Sequence, residues 1–265
     1  LIGLITEYYT GGNPVRKIAE SGETGSATVM ISGLSVGMQS VVIPIIILAA
    51  IILASTSFVD GVYGVGIAAV GMLATVGITM AIDAYGPVAD NAGGIAEMSG
   101  MGKEVRDITD SLDELGNTTA AIGKGFAIGA AALAALAIIS AYSAQVSATY
   151  GDAFSLSLEN PIVLVGMFIG ICIPFLIASI TMTAVGDAAF EMINEIRRQF
   201  KEIPGLMEGQ ADPDSEKCVE IATTAALKKM MLPGVIAVSM PAIVGFGLGA
   251  IALGGMLAGG LLGCV

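Results

Sequence analysis

Five apolar runs, each about as long as a membrane-spanning helix, dominate this sequence. They cover roughly residues 30–55, 61–82, 118–142, 161–185 and 231–253. The hydrocarbon core of a bilayer contains no water to satisfy the backbone, so a helix of about 20 apolar residues is needed to cross it. The runs predict an all-α, polytopic membrane protein, with further partial spans at residues 1–9 and 254–265.

The composition favours membrane helices over a soluble domain. Hydrophobic residues make up 55% of the chain and charged residues 13%, whereas soluble domains carry about a quarter charged residues. The 36 glycines fit this class, because small residues let membrane helices approach closely. Both ends of the sequence lie within apolar runs, and we therefore expect an internal fragment of a larger transmembrane helix bundle.

The residue types that are missing exclude several kinds of chemistry. The chain has no histidine, which excludes a Ser-His-Asp triad and a histidine metal site. Cys172, Cys218 and Cys264 are too far apart in sequence for a zinc or redox motif. A net charge of −12 argues against nucleic acid as a partner.

The basic residues predict which loops face the cytoplasm. All eleven lysines and arginines lie in residues 10–29, 83–117 and 186–230 or at the adjoining helix borders. The loops between these segments contain none, and by the positive-inside rule the basic segments are cytoplasmic. Of the 23 acidic residues, only Asp60, Asp152 and Glu159 are predicted to lie on the opposite side.

Two pairs of polar residues mark a candidate site in the second cytoplasmic segment. Asp83 and Asp90 are seven residues apart, so on a continuous helix they share a face and lie about 10 Å apart. Asn117 and Lys124 have the same spacing at the start of the next span. Oxygen donors suit Mg²⁺, which often shares its ligands with substrate phosphates, and a lysine can pair with phosphate.

Simpler explanations exist for each of these residues. Asp83 could cap a span at the membrane interface, and Asn117 is a good helix N-cap by residue type. Lys124 could extend its ammonium group to the membrane surface. The neighbouring acidic residues are predicted to form a solvated helix face, and residues 191–217 a surface helix and loop. These acidic residues are Asp107, Asp110, Asp113 and Glu114.

Around these same residues the sequence resembles the membrane-integral pyrophosphatases. The matching blocks are AIDAYGPVADNAGGIAEM at residues 81–98, GNTTAAIGKGFAIG at 116–129, RRQFKEIPGLMEG at 197–209 and TEYYT at 6–10. The resemblance implies a homodimer whose subunits are bundles of about sixteen transmembrane helices. Such proteins hydrolyse cytoplasmic inorganic pyrophosphate with Mg²⁺ and move protons or sodium ions across the membrane.

The resemblance also implies roles for individual residues. By motif position, Asp90 and Asn117 match the family's magnesium–pyrophosphate ligands, Lys124 a lysine of the motif, and Asp83 an adjacent polar position. The remaining metal ligands, the aspartates that activate water and the ion gate belong to sequence blocks that this chain lacks. We therefore expect the chain on its own not to hydrolyse pyrophosphate.

Two small residues imply a dependence on potassium. Members of the family that work without K⁺ carry lysine at the position of Ala120 and typically threonine at that of Gly123. A tethered ammonium group can take the place of a bound K⁺. The resemblance therefore implies that K⁺ is an activator here.

Two other functions remain open on composition alone. One is a secondary transporter or channel-like helix bundle without phosphate chemistry, and the other is a non-catalytic structural part of a pump. A secondary transporter would not require the particular blocks around Asp90 and Asn117. For localisation we expect a multi-pass protein of a prokaryotic cell membrane rather than of an acidic organelle or vacuole.

Overall fold

The computed structural model describes residues 1–58, 61–151 and 154–264. These residues form α-helices and no β-strand, which confirms the all-α class. Asp60, Asp152 and Val265 lie outside the described residues. The helices are α1 (Ile2–Gly11), α2 (Asn13–Ser21), α3 (Ser26–Ser40), α4 (Val42–Phe58), α5 (Val62–Leu73), α6 (Val76–Met98), α7 (Lys103–Tyr150), α8 (Pro161–Glu202), α9 (Ser215–Leu248) and α10 (Ala250–Cys264).

The described helices include several that can cross a bilayer. Four stretches are long and apolar enough: α3 with α4, then α7, α8 and α9. The pair α5 and α6, bent by 45° at a short break, is either a fifth, broken span or a re-entrant loop. These lengths and compositions are those of a multi-pass integral membrane protein.

The helices do not begin and end where the apolar runs do. The run at residues 61–82 is divided, because α5 ends at Leu73 and α6 begins at Val76. Helices α7, α8 and α9 extend well into the segments predicted to be cytoplasmic. Backbone hydrogen bonding continues a helix irrespective of side-chain polarity, so hydropathy locates the apolar part of a helix and not its ends. The membrane borders and the cytoplasmic side remain predictions.

The chain forms two compact units, Leu1–Ala141 and Tyr142–Cys264. In the second unit, α8 and α10 pack backbone against backbone at glycines. A Cβ atom on Gly166 or Gly170 would collide with the carbonyl oxygen of Ala252 or Met256, and one on Gly255 or Gly259 with the backbone of α8. Both pairs have the four-residue spacing of close membrane helix contacts. Here the glycine content has a direct structural use.

A buried polar cluster joins the end of α8 to the start of α9. The Gln199 amide donates to the Asp214 carbonyl and accepts from the Asp214 N–H, both at 2.9 Å. Gln199 also donates to Glu195 at 2.9 Å, and both side chains are more than nine-tenths buried. Residues 191–217 are rich in charged residues and were predicted to be a surface helix and loop. Their composition therefore gave no sign of this buried cluster.

Charge pairing holds Glu195 in its ionised form. The guanidinium of Arg198 donates two hydrogen bonds to its carboxylate, at 2.7 and 2.9 Å. These bonds, followed by the one from Gln199, lower the pKa of Glu195 from 4.5 to about 2. A lowered carboxylate pKa stabilises the folded state above the unfolded pKa, so this contribution is lost as the pH falls from about 4.5 towards 2.

Candidate functional site

The predicted site residues lie inside two long helices of the first unit. Asp83 and Asp90 are both within α6, which continues through Pro87 without a break. Asn117 and Lys124 are both within α7, more than three turns from its first residue. Each pair therefore lies on one continuous helix, as the prediction of a shared face requires. The explanation of Asn117 as a helix N-cap is wrong, because α7 begins at Lys103.

A narrow stripe of small residues brings α6 and α7 together. Gly86, Ala89, Gly93 and Ala96 are buried on α6, as are Gly116 and Gly123 on α7. A Cβ atom on Gly116 would lie 2.8 Å from the Cα of Gly86. The two backbones therefore touch between the levels of the predicted site residues.

Four contacts fix the antiparallel register of the two helices. From the hairpin turn inward they are Glu97 with Arg106, Gly93 with Asp110, Gly86 with Gly116, and Thr79 with Gly123. Both helices rise by about 1.5 Å per residue. The contacts therefore place Asp90 level with Asp113, and Asp83 level with Thr119, next to Ala120.

The polar residues of both helices follow one side of this hairpin. On α6, Asp83, Asp90 and Glu97 repeat every seven residues beside the buried stripe. On α7 the corresponding polar line consists of Arg106, Asp110, Asp113, Asn117 and Lys124. Because Glu97 of one line pairs with Arg106 of the other, both lines lie on the same side. We call this side the polar face of the hairpin.

Arg106 ties the polar face together at its outer end. Its guanidinium lies 2.6 Å from the Glu97 carboxylate and donates to Asp110 at 3.1 and 3.3 Å. The hydrogen bond to Glu97, then the one to Asp110, raises the pKa of Arg106. The sequence analysis did not predict this cluster of Glu97, Arg106 and Asp110. The seven-residue spacing of Glu97 from Asp90, and of Asp110 from Asn117, could have indicated it.

Further along the polar face, Asp113 contacts a predicted ligand. Asn117 Nδ2 donates to Asp113 Oδ1 over 3.2 Å. Asp110 and Asp113 were predicted to belong to a solvated helix face, and Asp110 is exposed, Asp113 is half-buried and both hydrogen bonds are open to solvent. Within that face, each aspartate bonds to another residue of the polar face. Asp90, Asn117 and Lys124 are exposed, and Asp83 is half-buried.

The remaining predicted residues are not in direct contact. Within the described parts of the chain, Lys124 has no carboxylate within ion-pair distance. No three metal-binding side chains of the described residues lie close enough together to hold an ion. The carboxylate of Asp90 and the amide oxygen of Asn117 nevertheless fit an open magnesium site, in which substrate phosphates supply further ligands.

We expect Gly116→Ala to push the two helices apart. Its Cβ would meet backbone, which cannot rotate away, and overpacking of this kind costs about 1–3 kcal/mol. Thermal unfolding of the detergent-solubilised protein should show a lower midpoint. Gly94→Ala is the control, because its Cβ would meet only the tip of Met98 at 4.0 Å. An unchanged midpoint for Gly116→Ala would contradict the close crossing.

Comparison with known proteins identifies the family. The sequence model of the family described as inorganic H⁺ pyrophosphatase matches residues 1–265. The chain belongs to this family. The resemblance stated for the blocks around Asp90 and Asn117 is thereby confirmed at the level of the family.

Individual inorganic H⁺ pyrophosphatase relatives are similar along almost the whole chain. A protein of Clostridium tetani, provisionally named a K(+)-stimulated pyrophosphate-energized sodium pump, is 54% identical over 97% of this chain. A Methanosarcina mazei protein named a K(+)-insensitive pyrophosphate-energized proton pump is 50% identical over 98% of this chain. The chain covers 39% of the first relative and 40% of the second, about two-fifths of their length.

Proposed function

We propose that this chain is part of a membrane-bound inorganic pyrophosphatase that uses pyrophosphate hydrolysis to pump ions. The whole protein hydrolyses cytoplasmic pyrophosphate and moves protons or sodium ions across the cell membrane of a prokaryote. The family match along the whole of this 265-residue chain supports this proposal. A bacterial and an archaeal relative carry names of such pumps. The observation that carries it structurally is the polar face of α6 and α7, because both predicted pairs lie on this one side of the hairpin.

Residues of the polar face have separable roles in this proposal. Asp90 and Asn117 hold Mg²⁺ and pyrophosphate, and Lys124 pairs with a phosphate oxygen as a point charge. Bound Mg²⁺ supplies neutralisation of the phosphate charge. Asp83, two turns from Asp90, contributes a second carboxylate on the same line. Electrostatic stabilisation of this kind acts on the charge that develops as the phosphoanhydride bond breaks.

Two further properties belong to the same proposal. K⁺ acts as an activator, because the position where an ammonium group would replace it is Ala120. Relatives differ on this point, since one name states K⁺ stimulation and another K⁺ insensitivity. The functional unit is a homodimer embedded in the lipid bilayer.

The test is a vesicle assay with the full-length protein that carries this sequence. On addition of magnesium and pyrophosphate we expect release of phosphate together with acidification of the lumen or uptake of sodium. The 265-residue chain alone, as a control, should release no phosphate. Solute uptake without phosphate release would instead support a secondary transporter, and phosphate release by the chain alone would overturn the assignment of its site as incomplete.

A further inference from the structure

The amide of Asn117 is held in one orientation by a neighbour on its own helix. Asp113 lies one turn earlier in α7 and accepts the hydrogen bond from Asn117 Nδ2 over 3.2 Å. An ionised carboxylate can accept hydrogen bonds but cannot donate them. Asp113 therefore distinguishes between the two ends of the amide, and Oδ1 is directed away from it.

This orientation matters because the last torsion of an asparagine side chain is soft. Its terminal group has two broad, nearly equivalent positions when nothing selects between them. A metal ion binds the amide oxygen and is repelled by the amide nitrogen. A free Asn117 would thus present the wrong atom for part of the time.

The register of the hairpin places Asp113 where such a role is useful. Asp113 is level with Asp90 on the opposite helix, and both are on the polar face. The ion pair of Arg106 on α7 with Glu97 on α6 holds this register on the hairpin-turn side of Asp113.

We propose that Asp113 is a positioning residue, which orients the Asn117 amide so that its oxygen is available to magnesium pyrophosphate. This inference rests on the proposed function and adds to it a residue that the chain's motifs did not reveal. Outer residues that orient metal ligands change metal affinity or activity by about 10- to 100-fold when substituted. The bond here is exposed, so the lower end of that range is expected.

The decisive variant is Asp113→Asn in the full-length protein. Asparagine has the same shape, but its amide can donate to Asn117 Oδ1 as well as accept from Nδ2, so the orientation is no longer selected. Isothermal titration with magnesium methylenediphosphonate, which is not hydrolysed, should show binding weakened by about tenfold. The magnesium concentration that half-activates hydrolysis should rise by a similar factor.

Glu114→Gln is the matched control, because it removes the same charge one residue further along α7. It should leave diphosphonate binding within about twofold of the unmutated protein. Asp113→Glu keeps a carboxylate that can only accept a hydrogen bond from Asn117 Nδ2. It should bind the diphosphonate more tightly than Asp113→Asn, and it tests the proposal even if Asp113→Asn folds poorly.

Three results would overturn the proposal. They are unchanged binding in a folded Asp113→Asn variant, an equal loss in Glu114→Gln, and binding by Asp113→Glu that is no tighter than that of Asp113→Asn. In each case hydrolysis by the unmutated protein would leave the proposed function standing. An unmutated full-length protein that neither hydrolyses pyrophosphate nor binds the diphosphonate would refute the proposed function itself.

Discussion

Asp90→Ala and Asn117→Ala each abolish pyrophosphate hydrolysis in the full-length protein, if the polar face holds magnesium pyrophosphate. Each removes an oxygen ligand for the substrate complex, and loss of one group that stabilises the transition state typically costs about 10²- to 10³-fold. The measurement is magnesium-dependent phosphate release by the purified protein. Both side chains are exposed on long helices, so the variants should still fold.

The control for these variants is Asp107→Ala. Asp107 is exposed on α7 and lies outside the polar line that continues through Asp113 and Asn117. Its substitution should change turnover by less than about twofold, as is usual for a surface residue away from a site. Near-normal hydrolysis by a folded Asp90→Ala or Asn117→Ala variant would contradict the ligand assignment. The ligands of magnesium pyrophosphate would then lie on another helix.

The second large effect concerns potassium. We expect K⁺ to stimulate hydrolysis in the unmutated full-length protein, and Ala120→Lys to remove this stimulation. A nearby positive charge stabilises the negative charge of the transition state. If it lowers the activation free energy by about 1.4 kcal/mol, the rate of hydrolysis rises about tenfold. A lysine at position 120 supplies that positive charge permanently, so added K⁺ has nothing further to neutralise.

The structure shows where the two positions linked to K⁺ dependence lie. Ala120 is half-buried on α7, one residue from the level of Asp83 and about one turn from Asn117. Gly123, the other position linked to K⁺ dependence, is buried, and a Cβ there would lie 3.2 Å from Thr79 Cγ2. Threonine at position 123 therefore requires a small adjustment of α6, whereas lysine at 120 requires only room on the polar face.

Initial hydrolysis rates with and without K⁺ test this prediction directly. Ser111→Lys is the control, because it adds the same charge to α7 at an exposed position away from the polar line. It should retain K⁺ stimulation. Equal rates in K⁺-free and K⁺-containing buffer for the unmutated protein would contradict the prediction, whichever ion is pumped.

The sequence by itself determined the class of protein and its family, and it supplied the proposed site residues. Apolar runs of membrane length predict helices, because a bilayer leaves the backbone no other partner than itself. The seven-residue spacing of Asp83 with Asp90 placed both on one face, which requires only the 3.6-residue period of a helix. The blocks around Asp90 and Asn117 indicated the family before any contact was known.

Only the tertiary structure decided how those faces meet. Which side of α6 faces α7 depends on the contact of Gly86 with Gly116 and on the ion pair of Glu97 with Arg106. Composition does not contain this information, because charged residues on a helix look solvated until a partner helix is placed beside them. Gln199 was likewise predicted to be part of a surface segment, whereas its hydrogen bonds to the backbone of Asp214 depend on the fold of a loop. The ends of the helices also depend on backbone hydrogen bonding, which hydropathy does not measure.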